Sequence, residues 1–244
     1  MNQVLVTGAS GGIGRAIALT LATRGVRVGV HYNADRAAAE GTWRALAGSG
    51  HALIGADLSD AAVIEPFWQE VIRVFGTVDA VVNNAGIYTQ HPPVTADYEE
   101  WNEVVQRTLA TNFFGPARLS FFAARTMAQR GSGRIVNISS RAAFRGEPSA
   151  PAYAASKAAL NAFGQSFAKA FASKGVQIFT VAPGWVDTER VAAQVQDPAV
   201  LADQPLGRVA TPDEVAQVVA FCVLEAPISL TGAVLDVNGA SYLR

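Results

Sequence analysis

The 244-residue sequence predicts an α/β fold on a parallel sheet, and three observations predict it. Short β-branched runs alternate along the chain with Ala-rich stretches of helical length, the order that a parallel sheet with crossover helices requires. A glycine cluster, Gly8 to Gly14, stands between the first such run and the first helical stretch. There a tight backbone turn meets the N-terminus of a helix, which favours an anion. Half of the residues are apolar and 16% are charged, which suits one large buried core, with residues 1–244 as a single domain.

In chain order, Asn2 to Val6 reads as the first strand, Thr7-Gly8-Ala9-Ser10-Gly11-Gly12-Ile13-Gly14 as a phosphate-cradling turn, and Ala16 to Arg24 as helix. The spacing Gly8-x-x-x-Gly12-x-Gly14 differs from the common G-x-G-x-x-G fingerprint, yet strand, glycine turn and helix in this order mark a dinucleotide site. Val26 to His31 is the second strand and Asp35 to Ala47 the next helical stretch. An acid at the tip of that strand would select NAD through the ribose hydroxyls, whereas a 2′-phosphate wants a cation. His31-Tyr32-Asn33-Ala34-Asp35-Arg36 has no acid at the tip, so NADP(H) is favoured over NAD(H). His31 or Arg36 would meet the phosphate, although His31 reads equally well as a strand-end residue, and Gly11 supplies no cation in the loop.

Leu53 to Ala56 is a third strand, and Asp57 after it either bonds an adenine amino group or caps the helix Ala61 to Phe75, for which Ser59 and Asp60 are competing caps. Val78 to Val82 leads to Asn83-Asn84-Ala85-Gly86, small and amide residues that let backbone approach a ligand. Ile87 to Ala96 reads as a surface loop with His91 exposed. Tyr98 to Arg130 is long and helical, with a break expected at Gly115-Pro116. Asn112 beside that break either holds a water or caps locally. Phe113, Phe114, Phe121 and Phe122 are more apolar than one helix side needs, so part of that face is expected to meet another subunit. Strands follow at Gly133 to Ser139, Val176 to Val181 and Ala233 to Val237, and Thr211-Pro212-Asp213-Glu214 opens a helix by N-cap and first-turn proline. Glu189 to Gln204 has the length of a mobile lid.

Several function classes are excluded by composition. A formal net charge of -1 with no run of like charges points to neither nucleic acid nor a membrane surface. Apolar runs such as Val218 to Leu224 fall far short of the ~18 residues of a span. No basic and apolar leader follows Met1, so a cytoplasmic enzyme is expected. Three histidines and one cysteine, scattered along the chain, make no metal site, and Cys222 in an apolar run reads as packing. No G-x-S-x-G elbow surrounds a serine, which argues against a Ser-His-Asp hydrolase.

The chemistry centres on Tyr153-Ala154-Ala155-Ser156-Lys157, inside the Ala-rich stretch from Ser149 to Lys174. On a helix, positions i and i+4 share a face, so phenol and ammonium point into one space. A phenol normally ionises near pH ~10, and an adjacent cation favours its phenolate, which makes it a proton donor at neutral pH. With five tyrosines and three lysines in the chain, chance supplies only about 0.06 such pairs. Ser140, thirteen residues earlier at a strand end, either donates to a substrate carbonyl or caps a turn. Thr188, after the Pro183-Gly184 turn, is placed to reach a pyrophosphate or a carboxamide.

Together, Thr7-Gly8-x3-Gly12-x-Gly14, Asn83-Asn84-Ala85-Gly86, Asn112, Ser140, Tyr153-x3-Lys157 and Pro183-Gly184 resemble, in order and spacing, the classical short-chain dehydrogenase/reductase family over essentially the whole chain. The resemblance implies a single Rossmann domain with a seven-stranded parallel sheet flanked by helices on both faces. It also implies a catalytic tetrad of Asn112, Ser140, Tyr153 and Lys157. It assigns the cofactor to Gly8, Ser10, Gly12, Ile13, Gly14, His31, Asn33, Asp57, Leu58, Asn84, Ala85, Gly86, Tyr153, Lys157, Pro183, Gly184, Val186 and Thr188. Within the family, Leu206-Gly207-Arg208-Val209 and Thr231 to Gly239 are most similar to 3-oxoacyl-acyl-carrier-protein reductases. That likeness implies reduction of a 3-oxoacyl thioester, an acyl carrier protein met by cations such as Arg130 and Lys174, and a homotetramer or homodimer built on the long helices. Gly11 and Arg141 depart from the pattern of those reductases, which often carry Arg and a small apolar residue there. Reduction of another alcohol, sugar or polyketide ketone is the alternative, and a catalytically dead cofactor-binding scaffold a third reading.

Overall fold

A computed structural model describes residues 3–192, 195 and 197–244. The strands are β1 (Gln3–Val6), β2 (Arg27–Tyr32), β3 (Ala52–Gly55), β4 (Ala80–Asn83), β5 (Gly133–Ile138), β6 (Val176–Pro183) and β7 (Val234–Val237). They form one sheet in the order β3-β2-β1-β4-β5-β6-β7, every neighbour parallel. Chain order reverses between β1 and β4, and at such a reversal a crevice opens beyond the strand C-termini.

Helices cover both faces because strand residues alternate sides while most residues of the five inner strands are buried. Val4, Val6, Val28, Val30, Phe179 and Val181 pack with Ile17 and Leu21 of α1 (Gly12–Thr23) and with Val215, Val219 and Val223 of α9 (Pro212–Leu224). On the opposite face Leu5, Val81, Ile135 and Ile178 meet Trp68 and Val71 of α3 (Ala61–Phe75) and Leu119 and Met127 of α5 (Gly115–Arg130). The remaining helices are α2 (Arg36–Arg44), α4 (Tyr98–Leu109), α6 (Ala142–Arg145), α7 (Pro151–Phe171) and α8 (Pro198–Ala202). Cys222 is buried in the first of these clusters, and burial pushes its thiol up to about 11.

Local rules explain most boundaries. Thr211 caps α9 through a full capping box with Glu214, and Pro212 occupies the first turn. Asp60 caps α3 through Ala62 N, and Asp35 caps α2 through Ala38 N. The expected break at Gly115-Pro116 takes the form of a π-helical turn, Ala110–Phe114, between α4 and α5. Gly115 stands there because a Cβ would run into the Leu58 carbonyl oxygen at 2.6 Å. Phe114 and Phe121 lie exposed on this helix, as the excess of aromatic residues implied. Of the segment read as a lid, Glu189–Val191 forms a 3-10 turn and Pro198–Ala202 is α8. Residues 193, 194 and 196 of that segment, like Met1 and Asn2 at the first strand, lie outside the described residues.

Candidate active site

Beyond the C-terminal ends of β1, β4, β5 and β6 lies a cleft of about 460 Å³. Its floor is the turn after β1, in which Gly8 and Gly12 adopt positive φ (62° and 51°). Gly14 is fixed by space, since a Cβ there would overlap the Gly8 carbonyl and the Asn84 amide. That amide ties the turn to β4, with Asn84 Nδ2 donating to the carbonyls of Thr7 and Gly8 at 2.9 and 3.0 Å. Thr7 Oγ1 in return accepts from Asn84 N and Ala85 N. At the N-terminus of α1 the cap is Gly11, no side chain bonds the first N–H groups and no acid sits in the first turn. Helix dipole and open amides therefore face the cleft, the surroundings that a pyrophosphate fits.

Tyr153 and Lys157 lie on α7 one turn apart, and Ser140 follows β5; all three line the cleft. Lys157 is buried, donates from Nζ to Ile138 O at 2.8 Å and sits 5.7 Å from the centre of the Tyr153 ring. Its backbone carbonyl accepts from Ser139 Oγ at 3.2 Å, so α7 is pinned to β5 at the level of the pair. Ser140 Oγ accepts from Ala142 N at 3.1 Å, which leaves the hydroxyl hydrogen to donate to a ligand oxygen. Tyr88 packs edge-on to Tyr153 with ring centres 5.1 Å apart, and Trp185 stands 6.4 Å beyond Tyr88. The arrangement offers two hydroxyl donors and one ammonium beside a backbone cradle.

Asn112 is fully buried in the π-turn and stands behind the cleft wall. Nδ2 donates to Ile87 O and Ser156 Oγ, and Oδ1 accepts from Ile87 N at 2.8 Å. Rather than offering a free amide to a water, the side chain clamps Ile87 and keeps one acceptor lone pair. Gly86 lies between it and the ammonium, because a Cβ at 86 would stand 3.3 Å from Asn112 Oδ1 and 3.4 Å from Lys157 Nζ.

Among the residues expected to hold the cofactor, Gly8, Ser10, Gly12, Ile13, Gly14, His31, Asn33, Asn84, Ala85, Gly86, Pro183, Gly184, Val186 and Thr188 line the cleft, and Asp57 and Leu58 do not. Leu58 is buried in the core. Asp57 is exposed and accepts from Ser59 N and Ser59 Oγ, while Asp60 takes the helix cap. His31 cannot act as a cation for a phosphate. It is 2% exposed, accepts at Nδ1 from Gly8 N and meets Ala56 O through Nε2, both at 3.0 Å. Burial pushes it down to about 4, against weaker upward pulls from the Ala56 carbonyl and Asp57. His91 is a second correction: it is buried, not exposed, and its Nε2 accepts from Ala152 N in the first turn of α7. Arg130 is already engaged, donating to Val78 O and Ser132 O and pairing with Asp79 at 3.3 Å.

A family model described as short chain dehydrogenase matches residues 2–199. The chain belongs to the short-chain dehydrogenase family. Its members are oxidoreductases that use a nicotinamide dinucleotide, and the open glycine cradle of this short-chain dehydrogenase suits one. It is 38% identical over 242 residues to the 3-oxoacyl-[acyl-carrier-protein] reductase of Escherichia coli (strain K12), covering 98% of this chain and 96% of that one. The protein of that name from Staphylococcus aureus (strain Mu50 / ATCC 700699) is 33% identical over 246 residues, covering 99% and 98%. A solved short chain dehydrogenase/reductase family protein superposes with a TM-score of 0.87 at 34% identity, covering 99% of this chain and 97% of that one. Among the described residues no helix is long and apolar enough to cross a membrane.

Sequence reasoning gave no role to the Tyr88 and Trp185 rings, which line the cleft. Arg141 and Arg145 line it as well.

Proposed function

We propose that this short-chain dehydrogenase is an NADPH-dependent reductase of 3-oxoacyl thioesters, carried on an acyl carrier protein or coenzyme A, forming the 3-hydroxyacyl product. The carrying observation is that one cleft joins an uncapped glycine cradle to Ser140, Tyr153 and Lys157, in a chain similar end to end to reductases of that name. When bound, the cofactor supplies the hydride. Tyr153 donates its proton to the carbonyl oxygen as that oxygen becomes an alkoxide, and Ser140 holds the same oxygen by a hydrogen bond. Lys157 stabilises the phenolate left behind and binds the nicotinamide ribose. Asn112 positions Gly86 and Ile87 against Lys157, and its spare lone pair holds a water that returns the proton. Gly8, Ser10, Gly12, Ile13 and Gly14 bind the pyrophosphate, and Val186 and Thr188 the nicotinamide end.

NADP(H) over NAD(H) rests on the last residues of β2, His31 and Tyr32, carrying no acid, with Asn33 lining the cleft and exposed Arg36 following; Asp35, the acid between them, is turned to the cap of α2, where it accepts from Ala38 N. With His31 neutral, Asn33 and Arg36 carry that preference. Residues 1–244 act as one unit, in the cytoplasm, as a homodimer or homotetramer that covers Phe114 and Phe121. Lys174 offers a cation to a carrier protein. A ketone of another class is the second reading. The deciding experiment follows NADPH absorbance with an acetoacetyl thioester and with simple ketones and polyols, then repeats it with NADH. The proposal expects the thioester and NADPH to give the highest kcat/KM; a simple ketone or NADH ahead of them would overturn it.

A further inference from the structure

The acyl side of the cleft holds charge that hydride transfer does not require. Arg141 follows Ser140 directly, and its backbone N donates to Pro183 O at 2.8 Å, which fixes the residue at the cleft wall. It is 6% exposed, yet its Nη1 has no hydrogen-bond partner. The nearest anion is Asp203, whose Oδ2 stands 3.4 Å from Arg141 Nη1 and 2.8 Å from Arg145 Nη1. Two guanidinium groups thus share one carboxylate oxygen, and the closer, hydrogen-bonded one is Arg145. Asp203 is half exposed and is not part of the cleft lining. Lining acids are Asp35 at the β2 end, Glu189 after Thr188, and Glu147, whose Oε1 accepts from Ser149 Oγ. A buried guanidinium with an unmade hydrogen bond is costly, and a planar carboxylate matches its fork. Burial also holds Arg141 below the usual arginine range.

We propose that Arg141, with Arg145 beside it, forms a subsite for a carboxylate carried on the acyl part of the substrate. The occupant takes over the Arg141 Nη1 hydrogen that Asp203 leaves unbonded, and it selects oxoacyl substrates ending in an acid over those ending in methyl or ester. This subsite rests on the reductase reading and narrows its substrate class.

The test uses a matched pair, 3-oxoadipyl coenzyme A and its terminal methyl ester, assayed with NADPH. Wild type is expected to favour the acid by at least about tenfold in kcat/KM, the scale of one charge-assisted hydrogen bond. Arg141→Met should bring that ratio close to one and Arg141→Lys should restore part of it. Asp203→Asn, which removes the competing carboxylate, should raise kcat/KM for the acid. A second arm titrates adipate and dimethyl adipate into the NADPH complex by calorimetry, with adipate expected to bind more tightly to wild type than to Arg141→Met. If neither thioester turns over, the reductase reading falls while the binding arm still judges the subsite. Equal kcat/KM for acid and ester in wild type, or a preference unchanged by both Arg141→Met and Asp203→Asn, would overturn it. Should Arg141→Met fail to fold, the Asp203→Asn response and wild-type binding of adipate against its ester decide the matter.

Discussion

Lowering the pH below about 6.5 should destabilise this fold through His31. The ring must be neutral where it stands, because Nδ1 accepts from Gly8 N while Nε2 faces the Ala56 carbonyl. Protonating Nδ1 would set two N–H groups against each other in a site that is 2% exposed. Burial lowers the histidine from 6.5 to about 4. The unfolded chain therefore binds a proton that the folded chain refuses, and stability falls as pH drops from about 6.5 to about 4. At about 1.4 kcal/mol per tenfold in proton affinity, the full loss is about 3 kcal/mol. The perturbation is His31→Gln, an amide that can accept from Gly8 and donate to Ala56 but does not titrate. Urea unfolding of both proteins at one concentration, between pH 7 and pH 4, gives the comparison, and carboxylate contributions cancel in the difference. Wild type should lose about 3 kcal/mol more than His31→Gln across that range. Parallel stability curves would refute the claim that a neutral His31 anchors the glycine turn to β3.

Other perturbations probe the cradle, the clamp and the core. Gly14→Ala forces a Cβ onto the Gly8 carbonyl and the Asn84 amide; it should cost about 1–3 kcal/mol in urea unfolding and weaken NADPH binding by fluorescence titration. Asn112→Ala strips partners from both backbone groups of Ile87, so about 2–3 kcal/mol of stability should go, with turnover falling as Gly86 leaves Lys157. Unchanged stability would show that Ile87 finds other partners. Cys222, buried and raised to about 11, should resist a thiol reagent at pH 8 in the native protein and react at once in denaturant; rapid native labelling would contradict its place in the core.

The parts legible in the sequence were those set by near neighbours. Strand and helix alternation, the glycine turn, the Thr211 N-cap with Pro212 after it and the Tyr153-x3-Lys157 spacing are local patterns, and all of them stand in the structure. The parts that escaped depend on residues distant along the chain. His31 reads equally as a phosphate contact or a strand-end residue, and the Ala56 carbonyl, 25 residues on, decides for the second by taking one of its nitrogens. His91 reads as exposed until the first turn of α7, 61 residues away, is found on its ring. Asn112 was placed at the helix break, but its engagement with Ile87 depends on how the β4 loop folds back. No periodicity reports that Arg141 and Arg145 converge on Asp203.

The most direct measurement is NADPH oxidation by Tyr153→Phe, run beside a fluorescence titration of the cofactor. Removing the phenolic hydroxyl while keeping the ring against Tyr88 should lower kcat by about a hundredfold or more, with NADPH affinity held within about tenfold of wild type. A Tyr153→Phe enzyme that still turns over at a rate near wild type would contradict proton donation by this residue.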